Sequence, residues 1–198
     1  DTLRLDEVVI TSQYVKPTEI GRLPVPLSQA PLSVSRMSAP MISDLSLNSL
    51  IDVARNVTGV RPNNSYGGFQ SFYIRGFNTF VVVTDGIRDE RHNLYASAPN
   101  TTLASIESIE ILKGAASVMY GHSALGGVIS LVHKQPTSVP RVNAQMSIGS
   151  WGRYSIQGGA GGNIARGVNF RTDFSMSGGE GWRHTNDRAY NAYFALNF

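Results

Sequence analysis

The chain has 198 residues, 41% of them hydrophobic and 16% charged, with a net charge of +3 from 17 basic and 14 acidic side chains. That length allows one or two domains with a modest core, and the charge is too mild to argue for nucleic acid by itself. There is no cysteine, which excludes a disulfide framework, an iron–sulfur cluster, a thiolate zinc site and a cysteine nucleophile; no run approaches the roughly 18 apolar residues of a membrane helix.

Residues 1–31 lack periodicity and hold Pro17, Pro24, Pro26 and Pro31, which predicts an extended, flexible arm. A start at Asp1 without a signal peptide reads as a processed or trimmed N-terminus. Inside the arm, Asp6-Glu7-Val8-Val9-Ile10-Thr11 places β-branched residues behind two acids. Such a run suits pairing with the edge of a partner's sheet, or it is the first strand of the domain that follows.

From Leu32 the pattern is that of a compact α+β domain, a small mixed sheet with short helices. LSVSRM at 32–37 is a short strand, and Ile42, Leu45, Leu50, Val53, Ala54 and Val57 recur at helical spacing before Gly59. SFYIRGF at 71–77 and FVVVTDGIR at 80–88 read as strands, the second turning at Asp85-Gly86 in a primed hairpin. Thr101–Ile106 is a weak helical turn. IESIEILKG at 106–114 alternates like a half-buried strand, AASVMYG makes a short helix, and GGVISLVHK at 126–134 is a further strand.

The composition changes near Pro136–Pro140. All 9 prolines fall at or before Pro140, while 10 of the 20 glycines fall between Gly149 and Gly181. Residues 1–139 carry 11 basic and 11 acidic groups, against 6 and 3 in 140–198. In this last segment Val142, Ala144, Met146 and Ile148 alternate with polar residues, as do Val168, Phe170, Thr172, Phe174 and Met176. Tyr190, Ala192, Phe194, Leu196 and Phe198 repeat the pattern, and 153–160 shows it more weakly. Period-2 segments of about ten residues joined by Gly, Asn and Asp turns are the mark of membrane β-strands, with Arg171 and Asp173 on a wet face. A soluble antiparallel sheet with one buried face alternates identically; Trp151, Tyr154, Trp182 and Tyr190 near the strand ends suit the interfacial girdle of the first reading.

Catalytic patterns are missing. GHSAL at 121–125 has Leu125 where a nucleophile elbow needs Gly, and the Gly-rich stretch 121–127 lacks the Lys-Ser/Thr of a phosphate loop. His92, His122, His133 and His184 have no metal-ligand spacing. Asp85, Asp89 and Glu90 could flank a hydrolytic site, but acids around a turn are usually just solvated. The run Arg88-Asp89-Glu90-Arg91-His92-Asn93 before Tyr95 is better suited to gripping a polar ligand, or is an ordinary exposed loop.

Four strings, taken in order, are specific. IRGF at 74–77, DGIRD at 85–89, ESIEILKGAASVMYG at 107–121 and GGVISLVHKQP at 126–136 resemble the plug domain of TonB-dependent outer-membrane receptors, and within them the ferric-siderophore branch. LDEVVIT at 5–11 resembles the energy-coupling TonB box that precedes such plugs. Ala115 departs from the proline usual in siderophore plugs. The resemblance implies a flexible arm with the TonB box at 1–31, a plug at 32–139, and the first roughly four antiparallel transmembrane strands of an incomplete β-barrel at 140–198.

It implies a function and partners as well. A ferric siderophore would bind from outside, and the TonB C-terminal domain would add a strand to Asp6, Glu7, Val8, Val9, Ile10 and Thr11 and pull, using the proton gradient. The implied ligand contacts are Arg61, Asn63, Asn64, Tyr66, Gln70, Arg88, Arg91, His92, Asn93 and Tyr95, whose donors suit an oxygen-rich chelate. Arg75 and Lys113 stand where plugs place cations that pair with barrel-wall glutamates and lock plug to barrel. Iron would arrive already chelated, so neither a cofactor nor a protein metal site is expected, and no enzyme activity. Cobalamin, haem or a glycan is an alternative cargo for the same fold, and an isolated soluble binding module is another class. The expected location is the outer membrane of a Gram-negative bacterium, plug inside the barrel and N-terminus periplasmic. Plugged transporters close with about 22 strands, so this reading takes the chain as an N-terminal portion and Phe198 as a truncation point.

Overall fold

The computed structural model describes residues 32–64, 69–89, 98–99, 102–114, 116–121, 124–180 and 187–198. The string at 6–11, together with Tyr66, Glu90, Arg91, His92, Asn93, Tyr95, His122, Trp182 and His184, lies outside the described residues.

The domain opens with β1 (Val34–Ser38), followed by α1 (Ala39–Asp44) and α2 (Leu50–Arg55). The apolar spacing over 42–57 predicts one helix; the structure has two. Pro40 sits in the first turn of α1, where a missing N–H costs nothing. Ser46 then takes a φ of 51°, which no continuing helix allows. Ser49 starts α2 afresh with a capping box. The Asp52 backbone N–H donates to Ser49 Oγ at 3.3 Å, and the Ser49 N–H donates to Asp52 Oδ2 at 3.1 Å.

Next come β2 (Val60–Asn64), β3 (Phe69–Ile74), β4 (Phe80–Thr84), β5 (Ile87–Arg88) and β6 (Ala98–Pro99). After them follow β7 (Ile106–Lys113), α3 (Ser117–Tyr120) and β8 (Gly127–His133). One five-stranded mixed sheet has the order β1-β7-β8-β4-β5, with β4 and β8 parallel and the other neighbours antiparallel. Phe80 and Val82 point into a core shared with α1 and α2, where Ile42, Leu50, Val53, Ile109 and Ile129 pack. Val81 and Val83 point to the other side, against Leu112, Ala116, Ala124 and Val128. Burial on both faces explains the continuous apolar runs of β4 and β8. The primed turn expected at Asp85-Gly86 is present, with φ of 49° and 83°. Residues 102–105 form a turn rather than helix, pinned by the bridge between Thr102 and Ser49.

A second sheet has the order β2-β3-β6. The stretch from Val60 forms a strand in spite of Pro62, because Pro62 lies on the outermost strand, where a missing donor is tolerated.

The chain ends in a meander of β9 (Arg141–Ile148), β10 (Tyr154–Ala165), β11 (Val168–Gly179) and β12 (Asp187–Asn197), each antiparallel to the next. Its polarity is inverted relative to a water-soluble sheet. Val142, Met146, Phe174 and Phe194 are exposed, Phe194 to 63%, whereas Arg171, Asp173 and Ser175 on the opposite face are buried, Asp173 to 1% exposure. A soluble sheet hides its apolar face; this one hides its polar face against the domain and turns hydrocarbon outward, as a membrane barrel wall does. Gly158 makes room for the Phe174 ring on the paired strand, since a Cβ there would meet Phe174 Cε1 at 2.7 Å.

Candidate functional site

One end of the domain is organised by β3. Gln70 pairs with Asn64 on one side and with Ala98 on the other, so the segments before 65 and after 97 meet on one strand. Register and alternation place Arg61, Asn63, Tyr73 and Arg75 on one face of the β2–β3 pair, while Phe72 and Ile74 on the other are fully buried. The polar face borders a cavity of about 740 Å³. Arg61 and Asn63 are exposed there. Two expected ligand contacts are placed differently. Gln70 is 1% exposed within the sheet, and Arg88 points inward, its Nη1 donating to the Tyr120 carbonyl at 2.9 Å.

The two expected locking cations come together. Lys113 Nζ donates to Ser35 Oγ at 2.9 Å and to the Thr58 carbonyl at 3.1 Å. Arg75, at a φ of 51°, donates its backbone N–H to the Gly59 carbonyl at 2.8 Å. Gly59 and Gly114 leave the room: a Cβ on Gly59 would lie 3.6 Å from Lys113 Cδ, and one on Gly114 would lie 3.2 Å from Arg75 Nη1. Arg75 and Arg61 form no ion pair with any described residue, leaving two cations and a tyrosine beside the cavity for an oxygen-rich partner.

A third group of residues joins the domain to the meander. Lys134, immediately after β8, approaches Asp173 Oδ1 at 3.7 Å. Asp173 is held by Arg171, whose Nε donates to Oδ2 at 2.7 Å and whose Nη2 bonds to Oδ1. Arg171 Nη2 also donates to Asn143 Oδ1 on β9 at 3.0 Å. Gly159 and Gly161 are paired with Asp173 and Arg171 across β10, and a Cβ on Gly159 would fall 2.1 Å from Asp173 Oδ1. Burial pushes the Lys134 amine below its ordinary value, partly offset by the Asp173 carboxylate. Nearby, Ser175 Oγ donates to Thr102 Oγ1 at 2.8 Å. The His133 ring stacks on Tyr193 of β12 at 4.5 Å and 2°, and its Nδ1 lies 2.7 Å from Asp85 Oδ2.

Residues 26–128, slightly more than half of the chain, match the family model of the TonB-dependent receptor plug domain. The chain belongs to the TonB-dependent receptor plug family. Beyond the plug, the likeness extends over most of the chain. It is 29% identical over 152 residues to the ferripyoverdine receptor of Pseudomonas aeruginosa, covering 76% of this chain and 19% of that protein. It is 28% identical over 178 residues to a vitamin B12 transporter of Vibrio vulnificus, covering 88% of this chain and 26% of that one. The crystal structure of the Pseudomonas aeruginosa outer-membrane ferripyoverdine receptor bound to ferripyoverdine superposes with a TM-score of 0.74 at 26% identity, over 81% of this chain and 22% of the other. The chain thus spans about a fifth of the receptor it matches. These relatives are receptors and transporters of the outer-membrane family, not enzymes.

The seam between plug and meander is what sequence reading missed. Alternation places Arg171 and Asp173 on the wet face but names no mate for them, and nothing in the spacing of His133 points to Tyr193. The one available signal was the GGAGG run at 158–162, whose small residues sit opposite the charged pair. Among the described residues no cluster of metal-binding side chains occurs.

Proposed function

We propose that the chain supplies the TonB-box arm (1–31), the plug (32–139) and the first wall strands (140–198) of an outer-membrane active transporter. The transporter binds a ferric siderophore and imports it into the periplasm, drawing on TonB and the proton gradient. Its plug sits inside the barrel and its N-terminus is periplasmic. The observation that carries this reading is the meander's inverted polarity: an apolar outer face, and a polar inner face closed against a plug-family domain. Such a sheet is stable only as part of a lipid-embedded wall around that domain.

The likeness to a ferripyoverdine receptor supports a ferric siderophore as cargo. Arg61, Asn63 and Tyr73 beside the cavity offer donors to its anionic oxygens; Tyr66, Arg91, His92, Asn93 and Tyr95 join them in this reading on the strength of the sequence alone. Arg75 and Lys113 await acidic partners on the barrel wall. Iron travels as the chelate, so the protein contributes no metal ligand of its own.

Growth and uptake with a panel of ferric chelates, in a strain deleted for the full-length gene and in its complement, test the reading. Restoration by one chelate class supports it; a complemented strain indifferent to every chelate overturns the cargo. The likeness to a vitamin B12 transporter favours one second reading, cobalamin, and labelled cobalamin belongs in the same panel.

A further inference from the structure

We propose that the seam built by Lys134, Asp173, Arg171, Thr102 and Ser175 is a permanent seat, on which the plug stays fixed to the wall while cargo passes elsewhere. The proposal rests on the transport reading above, but its geometry stands independently.

Three observations carry it. The charges are sealed: Asp173 is 1% and Arg171 6% exposed, and Lys134 reaches them from the plug side. Parting the seam would break the Lys134–Asp173 ion pair and the Ser175–Thr102 hydrogen bond together and open to water a charged group that the closed seam covers. The neighbouring strand is carved to fit them, because Gly159 leaves no space for even a methyl group beside the Asp173 carboxylate. Finally, the seat grips the centre of the plug sheet. Lys134 directly follows β8, which lies between β7 and β4, and Arg141 opens β9 a few residues later. Among the described residues, the polar groups around the Arg61 and Arg75 cavity take no part in these bonds. The plug therefore has one fastened side and one open, cation-lined side.

Two arms test this in the full-length receptor in its outer membrane. Thr102→Cys with Ser175→Cys replaces a hydroxyl contact of 2.8 Å by a disulfide, in a segment that contains no competing cysteine. Radioiron uptake from the chelate that supports growth is compared before and after reduction. A fixed seat predicts the same uptake in both states; uptake lost on oxidation and regained on reduction overturns the proposal. In the second arm, Lys134→Met removes the plug's cation while keeping its stem. At unchanged receptor level this variant should admit erythromycin, which an intact outer membrane excludes, whether or not TonB is present. The oxidised disulfide added to Lys134→Met should restore the seal. An unchanged erythromycin barrier overturns the seat. If Lys134→Met lowers the receptor level, the disulfide arm decides; if no chelate is transported, the cargo reading falls and the erythromycin arm decides.

Discussion

A methyl group added at Gly127 would lie 2.1 Å from the Leu112 carbonyl oxygen, at a φ of 151° that side chains rarely adopt. Here β7 and β8 approach so closely that backbone occupies the space of a side chain. Gly127→Ala is therefore expected to destabilise the plug by on the order of 3 kcal/mol through strain and overpacking, read as a lowered unfolding midpoint of the plug in the full-length receptor. Lys134 makes a pH-dependent prediction. Its amine is held below the ordinary value near 10.5 by burial, with Asp173 opposing. The unfolded chain then binds more protons than the folded one between the lowered value and 10.5, so stability rises with pH across that window. Wild type should gain stability relative to Lys134→Met as pH is raised towards 10.5, measured as the difference in midpoint between the two proteins. Identical pH profiles would contradict the burial of this amine. None of this was legible in the sequence: an apolar-polar alternation names the face of Asp173 but not the lysine, 39 positions earlier, that closes over it.

At the scale of elements, much of the pattern was legible. β4, β7 and β8 follow their apolar runs, and the meander follows its period of two. What escaped was decided by local chemistry that periodicity ignores. The helix over 42–57 is divided by the positive φ at Ser46 and the Ser49 cap. Ser49→Ala should cost about 1 kcal/mol by leaving the first turn of α2 uncapped, a smaller midpoint shift than at Gly127. Strand β2 was hidden by Pro62, admissible only because no strand pairs beyond it among the described residues. The outward face of the meander gives the sharpest test at this scale. Phe194, 63% exposed on that face, changed to Arg should cost about 2–4 kcal/mol at mid-bilayer depth. The full-length receptor would then show less heat-modifiable, folded barrel on a gel; full assembly of Phe194→Arg would contradict a lipid-facing sheet.

For the whole molecule, the parts form one device only if a pull on the arm reaches the plug. The family model covers the plug, and the likeness to a ferripyoverdine receptor continues into the wall strands. Of the proposed ligand contacts, Arg61 and Asn63 stand on the exposed side of β2, whereas Gln70 and Arg88 turn inward, because strand parity and a carbonyl 32 positions away decide where each points. The proposed strand addition at Val8, Val9 and Ile10 would rely on backbone donors and extended geometry rather than on particular side chains. Proline at Val9 removes one donor and should abolish coupling while sparing cargo binding. The most direct measurement is radioiron uptake from a ferric siderophore by cells making the full-length receptor, set beside Val9→Pro and a TonB-deleted strain. The account predicts rapid uptake by the wild type and none above background in the other two, with surface binding equal in all three; uptake by Val9→Pro at the wild-type rate would contradict it.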